Sequence, residues 1–175
     1  MLWGTGRMLG TVTEICVFGN PVLRQRAAEV VDPASPDIKQ LADDMLATMH
    51  ASSGVGIAAP QTGHSVRVVI IASTPNPRYP DAPAMEPLVM VNPEIIRRSD
   101  RMVEGMEGCL SVPGLRLPVS RHLDVDTVWR DLAGSRHQQT FTGFIARIVQ
   151  HELDHLDGIL ITDRSPGDER QLPGG

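Results

Sequence analysis

The pentapeptide His151-Glu152-Leu153-Asp154-His155 constrains the fold more than any other stretch of this chain. Two histidines four residues apart on a helix project from one face toward one point. Phe144 and Ile148 share that face, so it turns to the core rather than to solvent. The spacing predicts a helix running to about Leu156, with Gly158 beyond its end, whose histidine face other elements must cover. Buried imidazoles beside a carboxylate are costly without an ion to satisfy them. The pattern suits one divalent ion on His151 and His155, with Glu152 placed to move the protons of an ion-bound water.

Two neutral histidines bring no charge, and an open catalytic site takes three protein ligands and a water. A metzincin-type third histidine would fall at position 161, which is Ile161. A downstream glutamate of the thermolysin kind would have to be Glu169, in a short polar tail. Upstream, Cys109 lies in the segment EGCLS, next to Gly108 and ahead of Pro113 and Gly114, where an irregular backbone can aim a thiolate. Cys109 is the preferred third ligand and Glu169 the alternative. Cys16 reads as a buried small residue, and His50, His64, His122 and His137 as solvated side chains.

The rest of the chain supplies the cover. Ser35 and Pro36 open a helix whose Ile38, Leu41, Met45, Leu46 and Met49 recur at helical spacing, ending in Ser52-Ser53-Gly54. GVGIAAPQ, 54–61, is too glycine-rich for helix and reads as a loop or short strand. VRVVIIA, 66–72, is an apolar β-branched run without alternation, hence a central strand buried on both faces. Five prolines between Ser73 and Pro87 predict a long surface loop. LVMVNPEII resumes as a strand that bends, or lies at an edge, at Pro93. Leu123 to Thr140 reads as a hairpin. A single domain over 14–175 is expected, preceded by an arm, 1–13, without periodicity.

Composition narrows the function. A net charge of −5 and pI near 5.6 disfavour sequence-specific nucleic-acid binding, so any ribosome contact must be local. Two distant cysteines are too few for a disulfide scaffold and fit a reducing cytoplasm. Gly4, Gly6, Arg7 and Gly10 interrupt any apolar core of signal-peptide length, and no apolar run is long enough to span a membrane.

Three segments stand in order: GVGIAAPQ at 54–61, EGCLS at 107–111 and QHELDH at 150–155. Together they resemble the peptide deformylases, from NPVLR at Asn20 to ILITDR ending at Arg164. The resemblance implies an α+β fold with antiparallel sheets packed around a central helix that carries the HExxH residues. It implies removal of the formyl group, as formate, from the N-terminal methionine of nascent peptides in a bacterial cytoplasm or a derived organelle. It further implies Cys109, His151 and His155 as ligands of one divalent ion, Fe²⁺ first, with Zn²⁺, Ni²⁺ or Co²⁺ also suited. Glu152 would be the acid/base, with Gln61 and the Leu110 N–H as oxyanion donors. Gly54, Val55 and Gly56 would pair with the extended peptide, Phe144 and Ile148 would line the methionine pocket, and Arg116 would meet the peptide at the mouth. The rival readings are a zinc endopeptidase and a non-catalytic metal-stabilised binding module whose four protein ligands close the ion.

Overall fold

The structure is a computed structural model that describes residues 10–165. The Ser35 side chain accepts the Ile38 N–H at 3.4 Å, and Pro36 presets the first turn of helix α1, Pro36–Ala51. Leu41, Met45, Leu46 and Met49 form its buried face, as their spacing predicts. Ser52 caps the C-terminus of the helix, and Ser53 takes the left-handed conformation at φ 53°. Of the expected arm, 1–9 lie outside the described residues. Thr11 and Thr13 pin the next stretch to α1 through N–H bonds to Asp44 Oδ1 and Thr48 Oγ1.

Five strands then build an antiparallel sheet in the order β1-β2-β3-β6-β7: β1 Gly56–Ala58, β2 Val68–Ser73, β3 Met85–Arg98, β6 Asp124–Arg130 and β7 Arg136–Thr142. Every residue of β2 is buried, as its unalternating run requires, although β2 lies between β1 and β3 rather than at the middle of the sheet. The middle strand is β3, so Pro93 marks a bend and not an edge. Asn92 takes φ 50° there, and the register against β6 shifts between Val91 and Glu94. Pairing with β2 has already ended at Val91, so the missing N–H of Pro93 breaks no ladder with that strand. The β6–β7 hairpin forms at the expected place, with Asp131 capping its turn by accepting the Ala133 and Ser135 N–H groups.

The region around Cys109 departs from expectation. The irregularity is confined to a register shift between Gly108 and Cys109, and the flanking residues are strands: β4, Met102–Cys109, and β5, Val112–His122, pair as a second, two-stranded sheet. Gly105, Gly108, Pro113 and Pro118 obscure the strand pattern, and prolines are tolerated because both strands of a two-stranded sheet are edges. Cys109 is the last residue of β4, at a register shift, and Leu110-Ser111 makes the turn.

Helix α2, Gly143–Leu156, packs on β1, β2 and β7 on one side and reaches β5 of the hairpin on another. Val69, Ile71, Met90, Phe141, Val149 and Leu153 fill the space between sheet and α2. Met45, Met49, Ile57, Ile70 and Val91 fill the opposite face, against α1. Each fully buried side chain of this kind contributes roughly 1.5–3 kcal/mol, which holds the sheet between the two helices. Gly158, at φ 73°, ends the α2 segment as expected, ahead of the short helix α3, Ile161–Arg164. Among the described residues no helix is long and apolar enough to cross a membrane.

Candidate metal centre

Strand β4 and helix α2 meet at the site. The four-residue spacing on α2 sets the rings of His151 and His155 5.1 Å apart at 65°. Cys109 Sγ lies 3.4 Å from His155 Nε2, and the ligand atoms of Cys109, His151 and His155 all fall within 4.8 Å of one another. Cys109 and His155 are 3 % and 1 % exposed, so the charge on the thiol depends on its neighbours rather than on water. Burial pushes the Cys109 thiol up, but the two imidazoles outweigh it and hold the thiol well below its ordinary range. Burial opposes a charged His151, and Cys109 and Glu107 overcome that and raise it. The cluster thus favours a thiolate.

Glu107 sits two residues before Cys109, on the same face of β4. Its Oε2 lies 2.9 Å from His151 Nδ1, while Arg121 and Arg147 both pair with its carboxylate. Burial alone would raise this carboxyl, but hydrogen bonds and charge from His151 and Arg121 hold it far below the usual carboxylate range. An ionised carboxylate only accepts, so His151 Nδ1 carries a proton toward it, and Nε2 is the nitrogen that could hold an ion.

Glu152 is 4 % exposed, and its Oε2 has no hydrogen-bond partner among the described residues. Burial, with the charges of Cys109 and Glu107, raises its pKa against the opposing histidines, which suits a group that must both take and give a proton. Gly56 makes room for it: a Cβ there would lie 2.7 Å from Glu152 Oε1 and 2.8 Å from Ile148 Cγ2. The Gln61 amide is oriented from the backbone, since its Oε1 accepts the Ala58 N–H at 2.9 Å. Nε2 is thereby turned to Ser111 Oγ at 3.1 Å and toward Cys109 Sγ at 3.9 Å. The segment before α1 braces both loops, with Cys16 N–H on the Gln61 carbonyl and Phe18 N–H on that of Ser111.

The profile of the polypeptide deformylase family matches residues 12–171. Peptide deformylase 2 of a Nostoc species is 53 % identical over 150 residues, 86 % of this chain and 84 % of the relative. Peptide deformylase 2 of Shewanella oneidensis is 49 % identical over 158 residues, 90 % of this chain and 87 % of the relative. This chain belongs to the peptide deformylase family. The solved structure of the class I type b peptide deformylase of Acinetobacter baumannii, with Met-Ala-Ser bound, superposes with a TM-score of 0.86 at 50 % identity, covering 89 % of this chain and 99 % of that one. The family is one of metal-dependent hydrolases.

Within this deformylase-family chain, Val55, Gly56, Gln61, Leu110, Phe144 and Ile148 border the same pocket as Cys109, His151 and Glu152. Gly54 stands behind it, where a Cβ would touch Leu110 Cδ1 at 3.1 Å and Met49 Cγ at 3.2 Å. Arg116 does not line the pocket. It bonds the Arg78 and Met106 carbonyls and lies over the Tyr79 ring at 5.2 Å. Arg78 and Tyr79, from the proline-rich loop, take that place, with Tyr79 5.5 Å from the Phe144 ring. Nothing in the sequence pattern pointed to either, because a proline-marked loop does not disclose what it folds over. Arg147 also reaches the pocket, its charge matched by Glu107. Glu169, the alternative third ligand, lies outside the described residues.

Proposed function

We propose that this chain hydrolyses the formamide of N-formylmethionyl peptides to formate and a free amine, using one divalent ion held by Cys109, His151 and His155. The observation that carries the reading is the cluster itself: a thiol and two imidazoles converge within 4.8 Å beside a buried carboxylate whose Oε2 has no hydrogen-bond partner among the described residues. One thiolate and two imidazoles suit Fe²⁺, Zn²⁺, Ni²⁺ or Co²⁺, and Fe²⁺ is the first choice. When bound, such an ion supplies Lewis acidity and a more acidic water. We read α2 as the central helix of the fold, supported by its contacts with the five-stranded sheet and with the hairpin.

The chain's own groups do the rest. Glu152 takes a proton at Oε2 from the attacking water and returns it to the leaving nitrogen. Gln61 Nε2 and the Leu110 N–H donate to the oxygen of the formyl group as it gains charge, and the fixed amide of Gln61 needs no reorganisation to do so. Val55 and Gly56, with Gly54 packed behind them, offer main-chain groups to an extended peptide. Phe144 and Ile148 receive the methionine side chain, and Arg116, through Arg78 and Tyr79, shapes the mouth. Met-Ala-Ser bound to the Acinetobacter relative supports a peptide beginning with methionine as ligand. Bacterial relatives support work on nascent chains in a bacterial cytoplasm, with any ribosome contact confined to a local patch.

The test is formate release from formyl-Met-Ala-Ser by the metal-loaded chain, beside acetyl-Met-Ala-Ser and casein. Formate from the first, with little turnover of the others, is expected. Comparable cleavage of casein would favour an endopeptidase and overturn the reading.

A further inference from the structure

We infer that Arg121 and Asp154 are positioning residues for the metal site: with Glu107 they close a largely buried ring that sets strand β4, bearing Cys109, against helix α2, bearing His151 and His155. The inference rests on the metal reading above and goes beyond it, since neither residue touches the ligand atoms. Arg121, on β5, grips Glu107 with two parallel bonds, Nε to Oε1 at 2.9 Å and Nη2 to Oε2 at 3.0 Å. Its third nitrogen, Nη1, bonds Asp154 Oδ2 at 2.5 Å. Asp154 lies three residues after His151 on α2, so the two side chains stand on neighbouring positions of one helix. His151 Nδ1 completes the circuit to Glu107 Oε2 at 2.9 Å. Every junction between the thiolate's strand and the imidazoles' helix inside this ring is a charged hydrogen bond.

Such a ring is expensive to bury merely for stability. The Arg121 and Glu107 side chains are each 5 % exposed, and apolar residues of similar volume commonly replace a buried ion pair without loss. Its charges balance: Arg121 and Arg147 against Glu107 and Asp154, with half-exposed Arg164 capping Asp154 from outside. What apolar packing could not supply is direction. The planar fork of Arg121 prevents the Glu107 carboxylate from rotating, and a fixed carboxylate fixes the ring plane of His151, hence where Nε2 points. The same fork ties β4 to α2 at a set spacing. Without it Cys109 Sγ and His151 Nε2 lose their common centre although each residue remains.

The experiment uses the full chain, stripped and reloaded with Co²⁺ or Zn²⁺. Arg121→Lys keeps the charge but cannot make two parallel bonds and a third. Its Zn²⁺ affinity, read by chelator competition, is expected to fall 10–100-fold, the range seen when partners of metal-bound histidines are removed. The thiolate-to-cobalt absorption should change in intensity and position. Asp154→Asn is nearly isosteric and should move both readouts the same way by less. Arg97→Lys, at an exposed ion pair with Asp126, is the control and should move neither. A merely structural role would lower the melting temperature and leave affinity and spectrum at wild type, and that result in both ring variants overturns the inference. Should Arg121→Lys not fold, Asp154→Asn decides on the same two readouts. Wild-type chain that takes up neither ion overturns the metal reading itself, and the ring's role with it.

Discussion

Replacing Gly56 by alanine adds one methyl group at the point where the structure has no room for it. Gly56 is not among the glycines with positive φ, so the backbone accepts alanine and the effect is steric alone. The new Cβ would meet Glu152 Oε1 at 2.7 Å, Ile148 Cγ2 at 2.8 Å and Glu152 Cγ at 2.9 Å. Ordinary contact begins near 3.4 Å, so the carboxylate must retreat by about 0.7 Å. It has little freedom to do so elsewhere, because Glu152 is 4 % exposed and Ile148 blocks the same side. Overpacking of this kind costs about 1–3 kcal/mol of stability. A displacement on the order of 1 Å in a catalytic group costs roughly 10²-fold in rate, equivalent to about 2.7 kcal/mol of barrier. The expected outcome is a folded, metal-replete Gly56→Ala protein whose kcat for formate release falls by roughly 10²-fold. Gly54→Ala is the internal comparison, since its neighbours at 3.1 and 3.2 Å, Leu110 Cδ1 and Met49 Cγ, are flexible ends that can yield. A Gly56→Ala enzyme with full metal and wild-type kcat would refute the claim that Gly56 is there to seat Glu152.

Glu152→Ala should lose on the order of 10²–10⁴ in turnover while metal content by elemental analysis stays near one per chain, because in the proposed reaction the carboxylate moves protons and does not hold the ion. Loss of the metal instead would make Glu152 a ligand. Gln61→Leu should lower kcat by roughly 10²-fold with a smaller change in KM; an unchanged kcat dismisses the oxyanion role. It should also lower the melting temperature, since the buried Ala58 N–H loses its acceptor at a cost of about 1–3 kcal/mol. Gly158→Ala combines φ 73° with a Cβ 2.5 Å from the Arg24 carbonyl oxygen. The conformation alone costs roughly 1–2 kcal/mol, so thermal unfolding should shift down by several degrees, and an unchanged midpoint would contradict the backbone contact.

Local physics made much of this chain legible. Ser35 caps α1 through a side chain and an N–H three residues apart, and the face of α2 follows from spacings of three and four, so a window of one helix holds all the information. The β6–β7 hairpin likewise pairs neighbours in sequence. The β4–β5 hairpin was hidden for the opposite reason: the glycines and prolines that allow its close approaches and edge positions erase the alternation by which strands are recognised. The partners of Arg116 were not legible because a mouth residue is defined by the loop that folds over it, and Arg78 and Tyr79 come from 38 and 37 positions upstream.

Within the site itself, the side chains that converge were legible while their supports were not. Cys109, His151, His155 and Glu152 belong to residue types and spacings that carry their own chemistry. Glu107 and Asp154 stand two and one positions from a member of the Cys109, His151 and His155 cluster and read as ordinary acids, because a carboxylate on a strand or helix is usually solvated. What changes their meaning is one arginine, Arg121, which is 14 residues from the first and 33 from the second and bonds both. Position on the element could have raised the suspicion: Glu107 shares a strand face with Cys109, and Asp154 neighbours His151 across a turn of helix. Only the fold, by bringing β5 against both, turns two acids of separate segments into one device that makes a thiolate and an imidazole point at the same place.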